Sequence, residues 1–131
     1  MPMLTNKNIL VVEDDEMSAR YLIELLDDAG ANVIHVDNAT DAIFAAHNNK
    51  NIDLILMDIQ LPDMNGWQAT RILKKVKKDI PVIVQSAFAL ESHILKSYEA
   101  GCDFFISKPI DSDILFEMIE KAIISETKNK I

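Results

Sequence analysis

Five short apolar runs, separated by intervals with helical spacing, constrain this chain more than any other feature. Ile9-Leu10-Val11-Val12 is the first, and similar runs stand at 33–36, 54–57, 81–84 and 104–106. Their hydrophobicity is continuous rather than alternating, which suits strands covered on both faces, as in a parallel sheet. The interval 16–29 brings Met17, Tyr21, Leu22, Leu25, Leu26 and Ala29 to one helical face, with Gly30 as the stop. The second, about 40–48, carries Ala42, Ile43, Ala45 and Ala46. A third starts near Gly66; it is expected to bury Trp67, Ile72, Leu73 and Val76 and to expose Arg71, Lys74, Lys75, Lys77 and Lys78. The fourth, 90–100, sets Ile94, Leu95 and Tyr98 together and ends at Gly101. The last opens after Asp111 or Ser112, both good caps, with Ile114, Leu115, Met118, Ile119, Ala122 and Ile123 as its apolar set.

Five strand–helix units in a row predict an α/β fold with helices on both faces of a parallel sheet. Right-handed crossovers leave few arrangements, and a doubly wound five-stranded order of 2-1-3-4-5 is the natural one at this size. The 131 residues are one domain's worth of polymer. We place that domain at 8–125, with short tails at 1–7 and 126–131. Composition narrows the function. With 21 acidic against 13 basic side chains the net charge is -8, and such a surface repels nucleic-acid backbones. The single cysteine, Cys102, cannot form an internal disulfide and is expected to pack as a small hydrophobe. No apolar stretch approaches the roughly 18 residues of a membrane span, and 1–8 lack the apolar core of a secretory signal. The expectation is a cytoplasmic domain without membrane insertion or direct nucleic-acid contact.

In an open parallel sheet, ligands bind beyond the carboxyl ends of the strands. The first run is followed by Glu13, Asp14, Asp15 and Glu16, and the third by Asp58. Gln85, Ser86 and Ala87 follow the fourth, and Ser107, Lys108 and Pro109 the fifth. Asp15 and Glu16 suit a helix start, where acids cap free N–H groups and meet the positive end of the dipole. Glu13 and Asp14 stand at the strand exit instead. Taken singly, Asp58 could be a turn former, Lys108 a solvated lysine and Ser86 a hydroxyl bonded to nearby backbone. Together they form a pattern. Two carboxylates about 4 Å apart repel by roughly 4 kcal/mol at an effective dielectric near 20, so gathering Glu13, Asp14 and Asp58 requires cations. Lys108 supplies one charge, and a hard divalent ion suits the all-oxygen remainder; magnesium fits best. A metal, an ammonium and a hydroxyl around one aspartate suit the stabilisation of a phosphoryl group, with that aspartate as nucleophile.

Ile9-Leu10-Val11-Val12-Glu13-Asp14-Asp15-Glu16, the stretch from Asp53 through Leu54-Ile55-Leu56-Met57-Asp58-Ile59-Gln60-Leu61-Pro62-Asp63-Met64-Asn65 to Gly66, and Lys108-Pro109 resemble the signatures of two-component receiver domains. The resemblance covers residues 8–124 and implies a flavodoxin-like (βα)5 fold. It implies that Asp58 accepts a phosphoryl group from a histidine kinase or a histidine phosphotransfer domain in a phosphorelay, and that the chain is a phosphoacceptor rather than an enzyme. It further implies Mg²⁺ held by Asp14, the Asp58 carboxylate and the Gln60 backbone carbonyl, with Glu13 acting mostly through metal-bound water. Ser86 would hydrogen-bond one phosphoryl oxygen and Lys108 would pair with another, the Lys108–Pro109 peptide being cis. Ser86 and Phe105 would form the switch pair, and the fourth helix, fifth strand and fifth helix the surface for a downstream protein or a second copy.

Two positions depart from the commonest family pattern. Glu13 stands where Asp is frequent, and Phe105 where Tyr is often found, so a phenolic hydroxyl is missing there; Phe105 is equally readable as plain core. Gln60 and Phe88, each two positions beyond Asp58 and Ser86, would flank the entrance for hydrolytic water. A nucleotide or flavin binder would need Gly, Ser or Thr where the four acids stand. An aspartate-dependent phosphatase would resemble Asp-x-Asp, whereas Asp58 precedes Ile59-Gln60. A receiver used only for binding would not need every phosphorylation position filled. The chain ends after the last helix, so no output domain is expected; the wording at 100–103 and 107–110 resembles the receiver of a hybrid histidine kinase. Arg71 to Lys78 reads as a solvated helix end.

Overall fold

The computed structural model describes residues 4–129, with side chains described as far as Ile123. Along the chain it runs β1 (Asn8–Val12), α1 (Glu16–Asp28), β2 (Asn32–Val36), α2 (Ala39–Asn48), β3 (Leu54–Asp58), α3 (Gly66–Val76), β4 (Val82–Ser86), α4 (Glu91–Glu99), β5 (Phe104–Ser107) and α5 (Ser112–Asn129). The strands form one sheet in the order β2-β1-β3-β4-β5, and each neighbouring pair is parallel. This is the doubly wound arrangement that the alternating pattern predicts.

Successive side chains of a strand point to opposite faces, and the two halves of the core divide accordingly. Ile9, Val11, Leu54, Leu56 and Ile83 pack against Leu22 and Leu26 of α1 and Leu115, Phe116 and Ile119 of α5. Leu10, Val12, Ile55, Met57, Val82 and Val84 pack against Ala42 and Ala46 of α2 and Ala69 and Leu73 of α3. The central strands β1, β3 and β4 are therefore covered on both sides, while the edge strand β2 is only half-buried. Asp15, Asn38 and Asn65 cap α1, α2 and α3 by accepting from the N–H groups of Ser18, Asp41 and Gln68. Gly30 and Gly101 end their helices with φ of 93° and 108°, a region that side chains disfavour.

Several expected helix faces are corrected. The inward stripe of α1 is Ala19, Leu22 and Leu26, so Met17, about 200° around the helix from Ala19, is 83% exposed, and Tyr21 is also exposed. Val76 is the last residue of α3 and is exposed. Leu95 and Tyr98 of α4 are exposed, and the buried residue of that helix is Ser97. In α5, Ile114 points outward while Phe116, absent from the expected apolar set, is buried. Lys74 is not part of the solvated run. Its ammonium donates to the Ile80 carbonyl and to Asp103, both at 2.8 Å, and ties α3 to the loops around β4 and β5. The helix α5 also continues to Asn129, through residues that the sequence suggested were tail. At the other end, Leu4 is buried and its N–H donates to the Ala29 carbonyl.

The turn after β3 folds tightly back on the strand end. The Gly66 N–H donates to the Ile59 carbonyl at 2.7 Å, and a Cβ at Gly66 would lie 2.2 Å from the Asp58 carbonyl oxygen and 2.7 Å from Ile59 Cα. These are backbone atoms that cannot step aside without moving Asp58. Gly66→Ala should lose about 2 kcal/mol or more in urea unfolding, the overpacking range; an unchanged midpoint would show that the turn yields.

Candidate functional site

The parallel register sets the carboxyl ends of β1, β3, β4 and β5 along one rim. Glu13 and Asp14 leave β1, Asp58 ends β3, Ser86 ends β4 and Lys108 follows β5. The end of β5 is pinned to β4 by the Lys108 N–H, which donates to the Ser86 carbonyl at 2.8 Å. Residues up to 95 positions apart in sequence thus share one corner.

Carboxylate oxygens of Glu13, Asp14 and Asp58 lie within 4.8 Å of one another. Glu13 is fully buried, Asp58 nearly so, and Asp14 is exposed. The Lys108 ammonium stands between the two buried acids, hydrogen-bonded to Glu13 Oε1 and, at 2.9 Å, to Asp58 Oδ2. The Gln60 N–H donates to Asp58 Oδ1 at 2.9 Å, and the Asp15 N–H donates to Glu13 Oε2 at 3.2 Å. One ammonium against three carboxylates leaves the corner short of positive charge. The donor set is oxygen only, open to solvent on the Asp14 side, and matches the small hard cations that retain water.

Electrostatics express the same crowding. Burial, followed by the adjacent Asp58 carboxylate, pushes Glu13 up from 4.5 to about 7, with Lys108 working against the shift. For Lys108, burial pulls the ammonium down, but its bonds to Glu13 and Asp58 outweigh this and hold it above the ordinary lysine value. The corner therefore keeps its lysine charged while one of its acids readily takes a proton.

Ser86 is buried, and its hydroxyl accepts from the Phe88 N–H at 2.9 Å. Phe105 is half-buried against the α2 and α3 side of the core. Gln60 and Phe88 are both exposed. The Lys108–Pro109 peptide is cis. Cys102 is buried and its thiol is pushed up to about 12 by that burial, as an inert core residue requires. Gln85, which the sequence sets at the strand exit, lies within β4, wholly buried, and its side-chain amide has no hydrogen-bond partner among the described residues.

One structural acid of the site was not singled out from sequence. Asp63 accepts from the Thr40 hydroxyl and from the N–H groups of Ala39 and Thr40, which fastens the loop after Asp58 to the start of α2. The Thr40 hydroxyl first, then these N–H groups, lower Asp63 to about 2. Its signal was available: an acid after Pro62 in a short loop, facing a helix start rich in unpaired N–H groups.

Comparison with known proteins matches residues 9–120 to the response regulator receiver domain. The polar-differentiation response regulator DivK of Brucella anthropi is 35% identical over 116 residues, covering 87% of this chain and 94% of its own length. The probable transcriptional regulatory protein SilR of Salmonella typhimurium is 39% identical over 101 residues, 77% of this chain, but that match spans only 44% of the relative. Among solved structures, the receiver domain of a sensor histidine kinase from Pseudomonas aeruginosa superposes with a TM-score of 0.84 at 27% identity. It covers 91% of this chain and 98% of its own, and carries a magnesium ion in its active-site cleft.

The Glu13 shift has a definite sign. In the unfolded chain this carboxyl ionises near 4.5, and in the folded protein near 7. Its stabilising contribution is therefore complete below 4.5 and is lost as pH rises through 7. In chelator, raising pH from roughly 5.5 to 7.5 should cost up to about 2 kcal/mol in denaturant unfolding. Glu13→Gln should flatten that slope, and an equal slope in the variant would assign it elsewhere.

Proposed function

Because the chain belongs to the response regulator receiver domain family, we propose that Asp58 is its phosphoacceptor in a two-component phosphorelay, fed by a phosphohistidine donor. The observation that carries this assignment is the shared ammonium: Lys108 contacts Asp58 while Glu13 and Asp14 stand within reach of the same carboxylate. The receiver unit spans 8–125. One Asp58 oxygen attacks phosphorus, the P–N bond to the donor imidazole breaks, and its electron pair stays on the nitrogen. Each transfer consumes one acceptor, so the chain is a phosphoacceptor rather than a catalyst of turnover.

In this reading Lys108 neutralises one phosphoryl oxygen and Ser86 donates its hydroxyl to another. Magnesium is the cofactor. Asp14 and Asp58 would hold it with the Gln60 backbone carbonyl, and Glu13 would reach it through water. Bound there, the ion supplies the missing positive charge against the transferring group. The Gln60 backbone is already tied to Asp58 through its N–H, and the hard, oxygen-only donor set supports the choice.

The donor is a histidine kinase or a histidine phosphotransfer domain. Output passes through α4, β5 and α5, with Ser86 and Phe105 as the switch pair and the exposed Leu90, Leu95 and Tyr98 as apolar contact surface for a downstream protein or a second copy. The net charge of -8 speaks against direct nucleic-acid binding. No helix among the described residues is long and apolar enough to cross a membrane, and we assign the domain to the cytoplasm. A second reading, a receiver module within a hybrid histidine kinase, is favoured by the resemblance to the receiver of a sensor kinase. A binding-only receiver would not need every position of the phosphorylation site filled, as Glu13, Asp14, Asp58, Ser86 and Lys108 fill it here.

Acetyl phosphate carrying ³²P, with Mg²⁺, should label the protein, and Asp58→Asn should remove the label altogether. Lys108→Ala should slow labelling by roughly 10²-fold, the usual cost of one preorganised charge. Label on the Asp58→Asn protein would refute the assignment. Phe88→Glu should shorten the lifetime of the label by admitting water; equal or slower decay would remove Phe88 from that role.

A further inference from the structure

The β4–α4 connection joins Ser86 to an aromatic chain that leads away from the acidic corner. The Ser86 hydroxyl accepts from the Phe88 N–H at 2.9 Å. The Phe88 ring lies against His93, with centroids 6.2 Å apart and planes tilted by 55°. His93 in turn stacks on Trp67 of α3, at 5.5 Å and 22°. The Trp67 indole N–H donates to the Ser97 hydroxyl at 2.8 Å, and that hydroxyl donates to the His93 carbonyl at 2.8 Å, closing a ring of contacts between α3 and α4. The Lys96 ammonium sits 5.1 Å from the Trp67 ring centroid.

This cluster matters because it is the tie between α4 and α3, whereas the helix otherwise leans on β5, where Tyr98 meets the Phe105 backbone. Its N-cap residue, Leu90, makes no side-chain cap hydrogen bond, and Ser97 is the buried residue of the helix. The seam that seats α4 on α3 is thus the stack of Trp67 and His93, with Ser97 beneath it. Its first link is the Phe88 N–H bond to the very hydroxyl that the phosphoryl group is proposed to recruit.

We propose that Phe88, His93 and Trp67 form a side-chain relay that converts occupancy of Asp58 into a change at the α3–α4 seam. The relay rests on the assignment of Asp58 and Ser86 made above. When Ser86 turns toward a phosphoryl oxygen, the Phe88 N–H loses its acceptor and 87–90 are released. The Phe88 ring then leaves His93, and His93 shifts on Trp67. The two discrete arrangements are Phe88 N–H bonded to Ser86, or released, and both ends of the chain of contacts bias that choice. Phe88, His93 and Trp67 are positioning residues here. None is proposed to touch the reacting atoms.

Trp67 is the sole tryptophan of the chain, so its indole N–H gives one assignable resonance in a ¹H–¹⁵N spectrum. The full chain is measured with Mg²⁺ alone and then with Mg²⁺ and beryllium fluoride, a phosphoryl mimic. Labelling by acetyl phosphate is followed separately. The parent should displace its indole resonance only in the second condition. His93→Ala should still accept label but lose the displacement, whereas His93→Phe, which keeps a ring between Phe88 and Trp67, should retain it. A full displacement in His93→Ala would overturn the relay, as would none in a parent that takes label. Loss of label in the parent itself would instead refute the Asp58 assignment, which separates the two failures.

Discussion

The placement of one ammonium between two buried carboxylates is the constraint on which the rest of this structure turns. Glu13 and Asp58 come from strands that are neighbours in the sheet but 45 positions apart in the chain, and each would be costly to bury alone. Lys108 makes their burial tolerable, and it can do so only because β5 ends beside β4 and delivers it across the corner. The arrangement is balanced short of neutrality. Asp14 adds a third carboxylate, and the deficit of positive charge is what recommends the corner to a dication and then to a phosphoryl group.

The scaffold around the corner answers to the same need. The turn after Asp58 is closed by a residue without a side chain, because Gly66 lies against the backbone of Asp58 and Ile59. The far end of that loop is held by Asp63 to the start of α2. The backbone of Asp58 is thus fixed by the tight turn that follows it, while the Gln60 N–H and the Lys108 ammonium each hold one oxygen of its carboxylate, which leaves it little freedom to lose.

Much of this was legible in the residues themselves. Continuous β-branched runs announced doubly covered strands, and the strand exits carried the acids and the lysine, because a parallel sheet collects them at one end. The helix faces were less legible. Met17, Tyr21, Val76, Leu95, Tyr98 and Ile114 are apolar yet exposed. A periodicity argument assigns any apolar residue near the stripe to the core, while the real stripes are narrower: Ala19, Leu22 and Leu26 in α1, and Ser97 in α4. Lys74 erred the other way. A lysine within a basic run reads as solvated, and only the tertiary approach of Ile80 and Asp103 reveals it as a tie. The aromatic seam of Trp67, His93 and Phe88 had no local signature at all, since it joins two helices and a loop.

The two anchored acids of the loop and the corner respond to very different proton concentrations. Asp63 holds its bonds to Thr40 and Ala39 down to about 2, whereas Glu13 takes up its proton at about 7. Acid therefore reaches the buried carboxyl of the corner well before it loosens the tie that fastens the loop to α2.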